Sequence, residues 1–286
     1  IFTNLSQDHL DYHKNLKNYL KAKLYLFRKL VRKKGNVITD SKIPEFAQIE
    51  KIAKKKFLKL NTIDEKNEKF KILTHSFQDE TQILKIKHKN IIKHIRLNLI
   101  GKIQVKNILM AFIAAEKSGL NFNKILKVIP SLKPVEGRFE KIGKIKNKSK
   151  VILDYAHTPD ALKNILTIFS NSDKKPSIVF GCGGDRDESK REKMGKIANQ
   201  FANKIYITND NPRNENPSKI RKQIIKYCKS AIEIPNREKA IHRAIKELNF
   251  NETLIIAGKG HEKVQIIKNK KIKFDDFKLV KKIIKQ

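Results

Sequence analysis

The sequence holds only two cysteines, Cys182 and Cys228, in 286 residues. Two thiols cannot build a disulfide framework, so a reducing compartment, the cytoplasm, is the expected setting. Long apolar runs are missing too. Hydrophobic residues make up 39% of the chain, and no stretch approaches the roughly 20 apolar residues of a membrane helix, so membrane insertion is not expected. There is no signal peptide, and the first residue is Ile1 rather than Met, so upstream sequence is expected to be missing. Internal repeats are absent, as is the phosphate-cradling motif G-x-x-x-x-G-K-[ST]. Acidic residues are scarce: 29 stand against 64 basic ones, a net charge of +35. Such an excess suits nucleic acid. The lysines, however, are spread throughout, as in KIKNKSK and KKIIKQ, with few Gly-Arg or aromatic-interleaved patches. A solvated surface charge is the expected reading, with no specific nucleic-acid partner.

The length allows two domains with separate cores. From about residue 150 the pattern is regular. Short β-branched runs, VILDY (151–155), SIVFGC (177–182), KIYIT (204–208), AIEI (231–234) and TLIIAG (253–258), alternate with helical spacing over 159–170, 189–202, 217–229 and 236–248. Near-continuous apolar strands separated by helices of about three turns predict an α/β fold with a mostly parallel sheet covered on both faces. The first 145 residues are less regular. They predict an amphipathic helix around 15–32, strands near 36–40, 56–62, 70–75, 82–88 and 93–100, and helices over 104–118 and 122–129. The expected domains are 1–145 and 146–286, with a hinge near GRFE (137–140).

Parallel sheets bind ligands at the carboxyl ends of their strands. The polar stretches DYAHTPD, GCGGDRD, TNDNPR and AGKGHE all follow predicted strands, so four loops are expected to converge on one rim. In TNDNPR, Pro212 fixes its own φ and steers Asn211 away from helical angles, giving a stiff bend. Side chains on a stiff bend lose little entropy on engaging a ligand; a plain turn leading into a helix fits the same residues. Near the start, DHLDYH gathers Asp8, His9, Asp11 and His13, donors that suit a divalent cation, although a polar loop before a helix has the same composition. Cys182 in GCGG reads as packing rather than as a nucleophile.

Seven segments in order carry a resemblance: TNLSQDHLDYH with YLKAK, GKIQVKNILMAFIAA, EGRFE, DYAHTPDAL, FGCGGDRDESKREKMG, DNPRNENP and AGKGHE. Together they resemble the Mur ligase family, and within it the branch that adds diaminopimelate. The resemblance implies the carboxyl part of a central ATPase domain followed by a C-terminal Rossmann-like domain. It also implies an ATP-dependent amide ligase working through an acyl phosphate, with UDP-N-acetylmuramoyl-L-alanyl-D-glutamate and meso-2,6-diaminopimelate as substrates, and a monomer. A lysine-adding or folylpolyglutamate-type ligase, or a fragment that only binds the amino acid, is the alternative. The family carries its phosphate loop upstream of the TNL motif, so the chain by itself is expected to be inactive.

Site residues follow from the same resemblance. His9 is implied to bind Mg2+, and Lys23 to be carbamylated, which turns a repelling ammonium into an anionic magnesium partner; both count as catalytic. Asn107, Arg138, Asp154 and His157 are implied ATP contacts. The residues leave alternatives: Asp154 can cap the following helix, and His157 can be structural. Arg186, Asp210, Asn211, Pro212, Arg213, Gly258 and Glu262 are the implied diaminopimelate site. Arg213 offers a planar fork for the distal carboxylate, which lysine could not match, while Asp210 and Glu262 can face ammonium groups. Three positions depart from the family pattern: GKIQVKN lacks the usual Phe-Asn before Asn107, and Glu188 and Glu192 replace common Lys and Pro.

Overall fold

The computed structural model describes residues 1–63, 70–78, 81–88, 91–145, 147–170 and 174–285. These form two compact units, one of residues 1–6 and 13–134, the other of residues 7–12 and 135–286. The second unit thus begins at Val135, ahead of the expected boundary at 146. Chemistry explains the shift: strand Glu140–Lys144 pairs antiparallel with Lys150–Asp154 and belongs to the second sheet. No helix among the described residues is long and apolar enough to cross a membrane.

In the first unit, helix α1 (Leu16–Tyr25) starts on Asn15, whose side chain accepts from the Asn18 amide and caps the first turn. The predicted helix over 15–32 does not stay α-helical. Leu26–Leu30 is π-helical, closed by a bond from Val31 N to Leu26 O. Strand β1 (Asn36–Thr39) pairs in parallel with β2 (Lys59–Thr62), and helix α2 (Phe46–Lys55) connects them. That crossover helix lay unpredicted. Its buried Ile49, Ile52 and Ala53 join Phe2, Leu24, Phe27 and Val37 in one core. An antiparallel sheet follows, β3 (Phe70–Gln78), β4 (Thr81–His88) and β5 (Ile91–Leu97), with β4 in the centre. Helices α3 (Lys102–Lys117) and α4 (Phe122–Val128) complete the unit. Leu84, Ile86, Ile95 and Leu97 pack with Val105, Leu109, Phe112 and Ile113 of α3.

The second unit holds β6 (Glu140–Lys144), β7 (Lys150–Asp154), α5 (Pro159–Ile168), β8 (Ser177–Phe180), α6 (Ser189–Phe201), β9 (Ile205–Ile207), α7 (Pro217–Ile225), β10 (Ile232–Glu233), α8 (Arg237–Lys246), β11 (Thr253–Ala257), the hairpin β12 (Val264–Ile267) and β13 (Lys270–Lys273), and α9 (Asp276–Lys285). Its six-stranded sheet runs β10-β9-β8-β11-β7-β6, parallel except for β6. The strands are apolar without alternation because successive side chains enter different cores. Ile152, Ile178, Phe180 and Ile255 pack with Leu162 and Ile165 of α5 and Met194 of α6. Val151, Leu153, Val179, Leu254 and Ile256 pack with Ile241 of α8 and Val280 of α9. Period-two alternation therefore serves two covered faces, as the mostly parallel expectation requires.

Candidate functional site

The loops after β7, β8, β9 and β11 meet at the carboxyl edge of the parallel sheet. Backbone contact holds them together. A Cβ on Gly184 would lie 2.0 Å from Pro212 O, and one on Gly181 2.2 Å from Thr208 O. Glycine at these places lets GCGGDRD lie directly on TNDNPR. Gly184 N donates to Asn211 O at 2.9 Å, and Asp185 N to Glu215 Oε1 at 2.5 Å.

Arg213 is fixed more firmly than Pro212 alone would fix it. Arg213 N donates to Ile266 O at 3.1 Å and Arg213 O accepts from Lys268 N at 2.7 Å, so the residue is stitched to the β12 edge. Its φ of +48° is left-handed, a conformation that costs a non-glycine residue and needs such support. The Nη1 atom donates to Gly184 O at 2.8 Å and approaches Asn211 O at 3.4 Å. The Nη2 and Nε donors have no partner among the described residues, so one edge of the fork stays open.

Asp210 and Glu262 supply the open anionic atoms. Asp210 Oδ1 accepts from Asn211 N at 2.7 Å, whereas a Cβ on Gly258 would sit 2.9 Å from Asp210 Oδ2. Gly258, at φ +107°, therefore leaves room for that oxygen. Glu262 Oε2 accepts from Asn211 Nδ2 at 2.8 Å and Lys259 Nζ at 3.1 Å; among the described residues Oε1 has only the Tyr155 hydroxyl at 3.5 Å. Burial resists ionisation of Glu262, but the Asn211 bond and the charges of Lys259 and Arg213 hold its carboxyl below the ordinary glutamate value. Asn211 is 2% exposed, and its Oδ1 receives both Lys259 Nζ and Ile266 N at 3.0 Å. It braces the rim from behind.

The nucleotide candidates fall in both units. Asn107 is exposed on α3 of the first unit. There a cavity of about 870 Å³ is lined by Asp40, Lys42, Lys71, His75, Lys102 and Lys106, among others. In the second unit the Arg138 guanidinium lies 4.4 Å from the centre of the Tyr155 ring. Asp154 is 4% exposed, and its two oxygens accept from Phe139 N and Ala156 N, each at 2.8 Å. Burial pushes its carboxyl up against those bonds and the nearby Arg138 and His157 charges. The helix cap is Thr158, whose side chain accepts from Ala161 N. Asp154 instead staples the GRFE segment to β7, a job the sequence did not suggest. His157 Nδ1 lies 2.9 Å from Tyr155 O, and its Nε2 3.4 Å from Asp8 Oδ2.

The DHLDYH stretch divides between the units. Gln7 donates to Asp187 and Ser189, both at 2.7 Å, and Asp11 lies 3.6 Å from Arg186. Asp8 is partly buried, which opposes ionisation, but the His157 bond and the His157 and His9 charges bring its carboxyl down to about 2. His9 belongs to the second unit and Lys23 to the first. Lys23 Nζ donates to Asn4 O at 2.9 Å and lies 5.4 Å from the Phe2 ring. Among the described residues no group of three or more His, Cys, Asp or Glu side chains could hold a metal ion.

Both cysteines are buried. Burial pushes the Cys182 thiol up to about 11 and the Cys228 thiol up to about 12. Neither forms thiolate near neutrality, in line with a packing role. Ellman's reagent at about pH 8 is expected to label neither thiol of the native chain and both after unfolding. One fast equivalent in the native protein would contradict the burial.

Sequence reasoning missed Lys259 and Arg237. Lys259 is 0% exposed in the AGKGHE loop. Arg237, 2% exposed, binds Asp276 through Nε at 2.9 Å and Nη2 at 2.7 Å, and donates to Ala257 O at 3.1 Å. A lysine between two glycines was the only written trace of the first. The second is hidden among the lysine-rich helices.

Comparison with known proteins matches residues 1–115 to the Mur ligase middle domain and residues 137–260 to the Mur ligase glutamate ligase domain. A UDP-N-acetylmuramoyl-L-alanyl-D-glutamate–2,6-diaminopimelate ligase of Rickettsia typhi is 40% identical over 99% of this chain and 58% of that protein. The same-named protein of a Chelativorans species is 37% identical over 100% of this chain and 59% of its own. The chain thus spans somewhat over half the length of these relatives. A solved structure of a ligase of that name superposes with a TM-score of 0.61 at 30% identity, covering 99% of this chain and 59% of that one. Folylpolyglutamate synthase of Mycobacterium tuberculosis complexed with ADP gives a TM-score of 0.73 at 16% identity, over 90% of this chain and 59% of that one. That likeness concerns the fold alone.

Proposed function

Because this chain belongs to the Mur ligase family, with both middle-domain and glutamate-ligase-domain stretches matched, we propose that it is the carboxyl part of an ATP-dependent ligase that adds meso-2,6-diaminopimelate to UDP-N-acetylmuramoyl-L-alanyl-D-glutamate. The names of its relatives support the reaction. The observation that carries the amino-acid assignment is the Arg213 fork, anchored through Nη1 to Gly184 O with its other edge open.

Diaminopimelate has two amino-acid ends, and the end that is not joined presents a carboxylate and an ammonium. The open Nη2 and Nε edge of Arg213 is the bidentate partner for that carboxylate. Asp210 Oδ2 and Glu262 Oε1 are the partners for ammonium. Arg186, half-exposed in the GCGGDRD loop, is the second positive group we assign to the amino acid. Lysine has an ammonium at its far end but no carboxylate there, so the Arg213 edge discriminates between the two amino acids.

ATP would supply phosphoryl activation of the acceptor carboxylate, which the amine then attacks. The lysine-lined cavity of the first unit, to which the Asn107 helix contributes Lys102 and Lys106, supports a nucleotide there, since it offers cations to phosphates. In the second unit Arg138 and His157 are the side chains we assign to the nucleotide, with Asp154 holding their loop. Magnesium at His9 and carbamylation of Lys23 remain part of the proposal, as does a monomer working in the cytoplasm. No specific nucleic-acid partner is proposed.

Calorimetric binding of meso-diaminopimelate and of L-lysine tests the reading. The wild-type chain is expected to prefer diaminopimelate. Arg213→Ala is expected to weaken that ligand by roughly 10- to 100-fold, the worth of charged hydrogen bonds of about 1.5–3 kcal/mol, and to leave lysine nearly unchanged. A variant that keeps the full preference overturns the assignment.

A further inference from the structure

Lys259 Nζ makes three hydrogen bonds, to Asn211 Oδ1 at 3.0 Å, Glu262 Oε2 at 3.1 Å and Val264 O at 2.6 Å. An ammonium has three hydrogens. All are used inside the protein, and the residue is 0% exposed, so Lys259 has neither a donor nor an approach for a ligand. Its placement is nonetheless specific. Gly258 at φ +107° and Gly260 at φ +51° turn the chain on either side of it, and a Cβ on Gly260 would lie 2.7 Å from Gly137 O. The side chain is thereby directed inward, behind the two groups that face the rim.

We propose that Lys259 is a positioning residue for amino-acid recognition: it holds one oxygen of Glu262, turns the other toward the ligand ammonium, and keeps the pair negatively charged there. The inference rests on the diaminopimelate reading for the identity of the ligand, but not for the state of Glu262. Asn211 shares the task. Its Nδ2 takes the same Glu262 oxygen at 2.8 Å, so Lys259, Asn211 and Glu262 form a closed triangle with only Oε1 facing out. A buried cation that binds no ligand thus decides how well an anion does. Uncompensated carboxylates in a half-buried site drift toward the neutral acid, and a neutral acid cannot balance an ammonium. Lys259 also bonds Val264 O at the start of β12, the strand that pairs with Arg213. One side chain therefore touches the supports of both the anionic and the cationic recognition groups.

The test has two readouts on the same full chain. The first is carboxyl NMR titration of Glu262, assigned with Glu262→Gln. In the wild type Glu262 is expected to titrate below the ordinary glutamate value. In Lys259→Met it is expected to titrate above it. Lys259→Gln retains a donor without the charge and is expected to shift the same way, which covers the case in which the methionine variant does not fold. The second readout is meso-diaminopimelate affinity between about pH 5 and pH 8, below the range where amines lose their protons. Wild-type affinity is expected to be flat. A group with a raised folded pKa is neutral below that value and charged above it. The variants are therefore expected to bind more weakly near pH 5 than near pH 8, and to recover as the pH rises.

A variant whose Glu262 titrates as in the wild type, with only the melting temperature lowered, overturns the proposal. If the wild type binds no diaminopimelate, the substrate reading fails, and the titration still judges Lys259.

Discussion

Asp276→Ala is expected to destabilise the second unit by about 3–5 kcal/mol, because it leaves a buried guanidinium without its counter-charge. Both side chains of the Arg237–Asp276 pair are 0% exposed. The two bonds are the bidentate kind, at 2.9 and 2.7 Å. Burial acts against the Arg237 cation, but Asp276, and behind it Asp210 and Glu262, keep it charged, so it cannot escape by shedding a proton. Its Nη1 already has no hydrogen-bond partner among the described residues. Loss of Asp276 would strand two more donors. Asp276 also opens α9, whose Val280 is buried in the core over Val151, Leu153 and Ile256. The helix should therefore loosen along with the charge. Urea denaturation followed by circular dichroism reads the change. The double variant Arg237→Met/Asp276→Leu is the control, since replacing both members of a buried pair with apolar groups is close to neutral. A single variant as stable as the wild type would mean that the pair is not buried as described.

Gly184→Ala is the second large effect. Its Cβ would meet Pro212 O at 2.0 Å and Pro212 C at 2.8 Å. Both atoms are backbone, so no side-chain rotation relieves the clash. The GCGGDRD and TNDNPR loops must separate, at a cost of about 1–3 kcal/mol by the usual price of overpacking. Recognition should suffer along with stability. Arg213 Nη1 is held by Gly184 O itself, so any separation moves the fork that the proposed carboxylate meets. At least a tenfold loss of diaminopimelate affinity is expected by calorimetry. Gly143→Ala is the matched control: its nearest neighbour would be Ile284 at 3.6 Å, an ordinary contact. Equal behaviour of the two alanines would refute the account of the loops.

The alternation of strands and helices after residue 150 was legible because the apolar runs were short, β-branched and bounded by polar loops. Helices α5 to α8 fall where that spacing placed them. The convergence of four loops followed from parallel connectivity, without knowledge of side chains. What escaped depended on partners distant in sequence. Strand β6 carries few apolar residues and is a strand because β7 offers it an edge. Helix α2 has a three-and-four spacing of Ile49, Ile52 and Ala53, but lysines crowd the segment and mask it. The β12–β13 hairpin has three lysines among the eight residues of its strands, all of them in β13, and looks like exposed coil. At the candidate site, the sequence drew attention to Arg213 but not to its support: the brace is β12, about fifty residues on, as well as the adjoining proline. Asp154 shows the same limit. A carboxylate at a strand end can serve a ribose, a helix or a backbone amide, and only the position of Phe139 decides.

The pairing of Arg213 with Ile266 and Lys268 has an engineering consequence. The guanidinium hangs from a ribbon whose far end is solvent-exposed and whose turn at Lys268 is left-handed, at φ +52°. Lengthening or shortening that ribbon would shift the Arg213 backbone, and the fork with it, without changing the DNPR sequence. Selectivity among amino acids could thus be retuned by grafting hairpins that hold the Arg213 backbone differently.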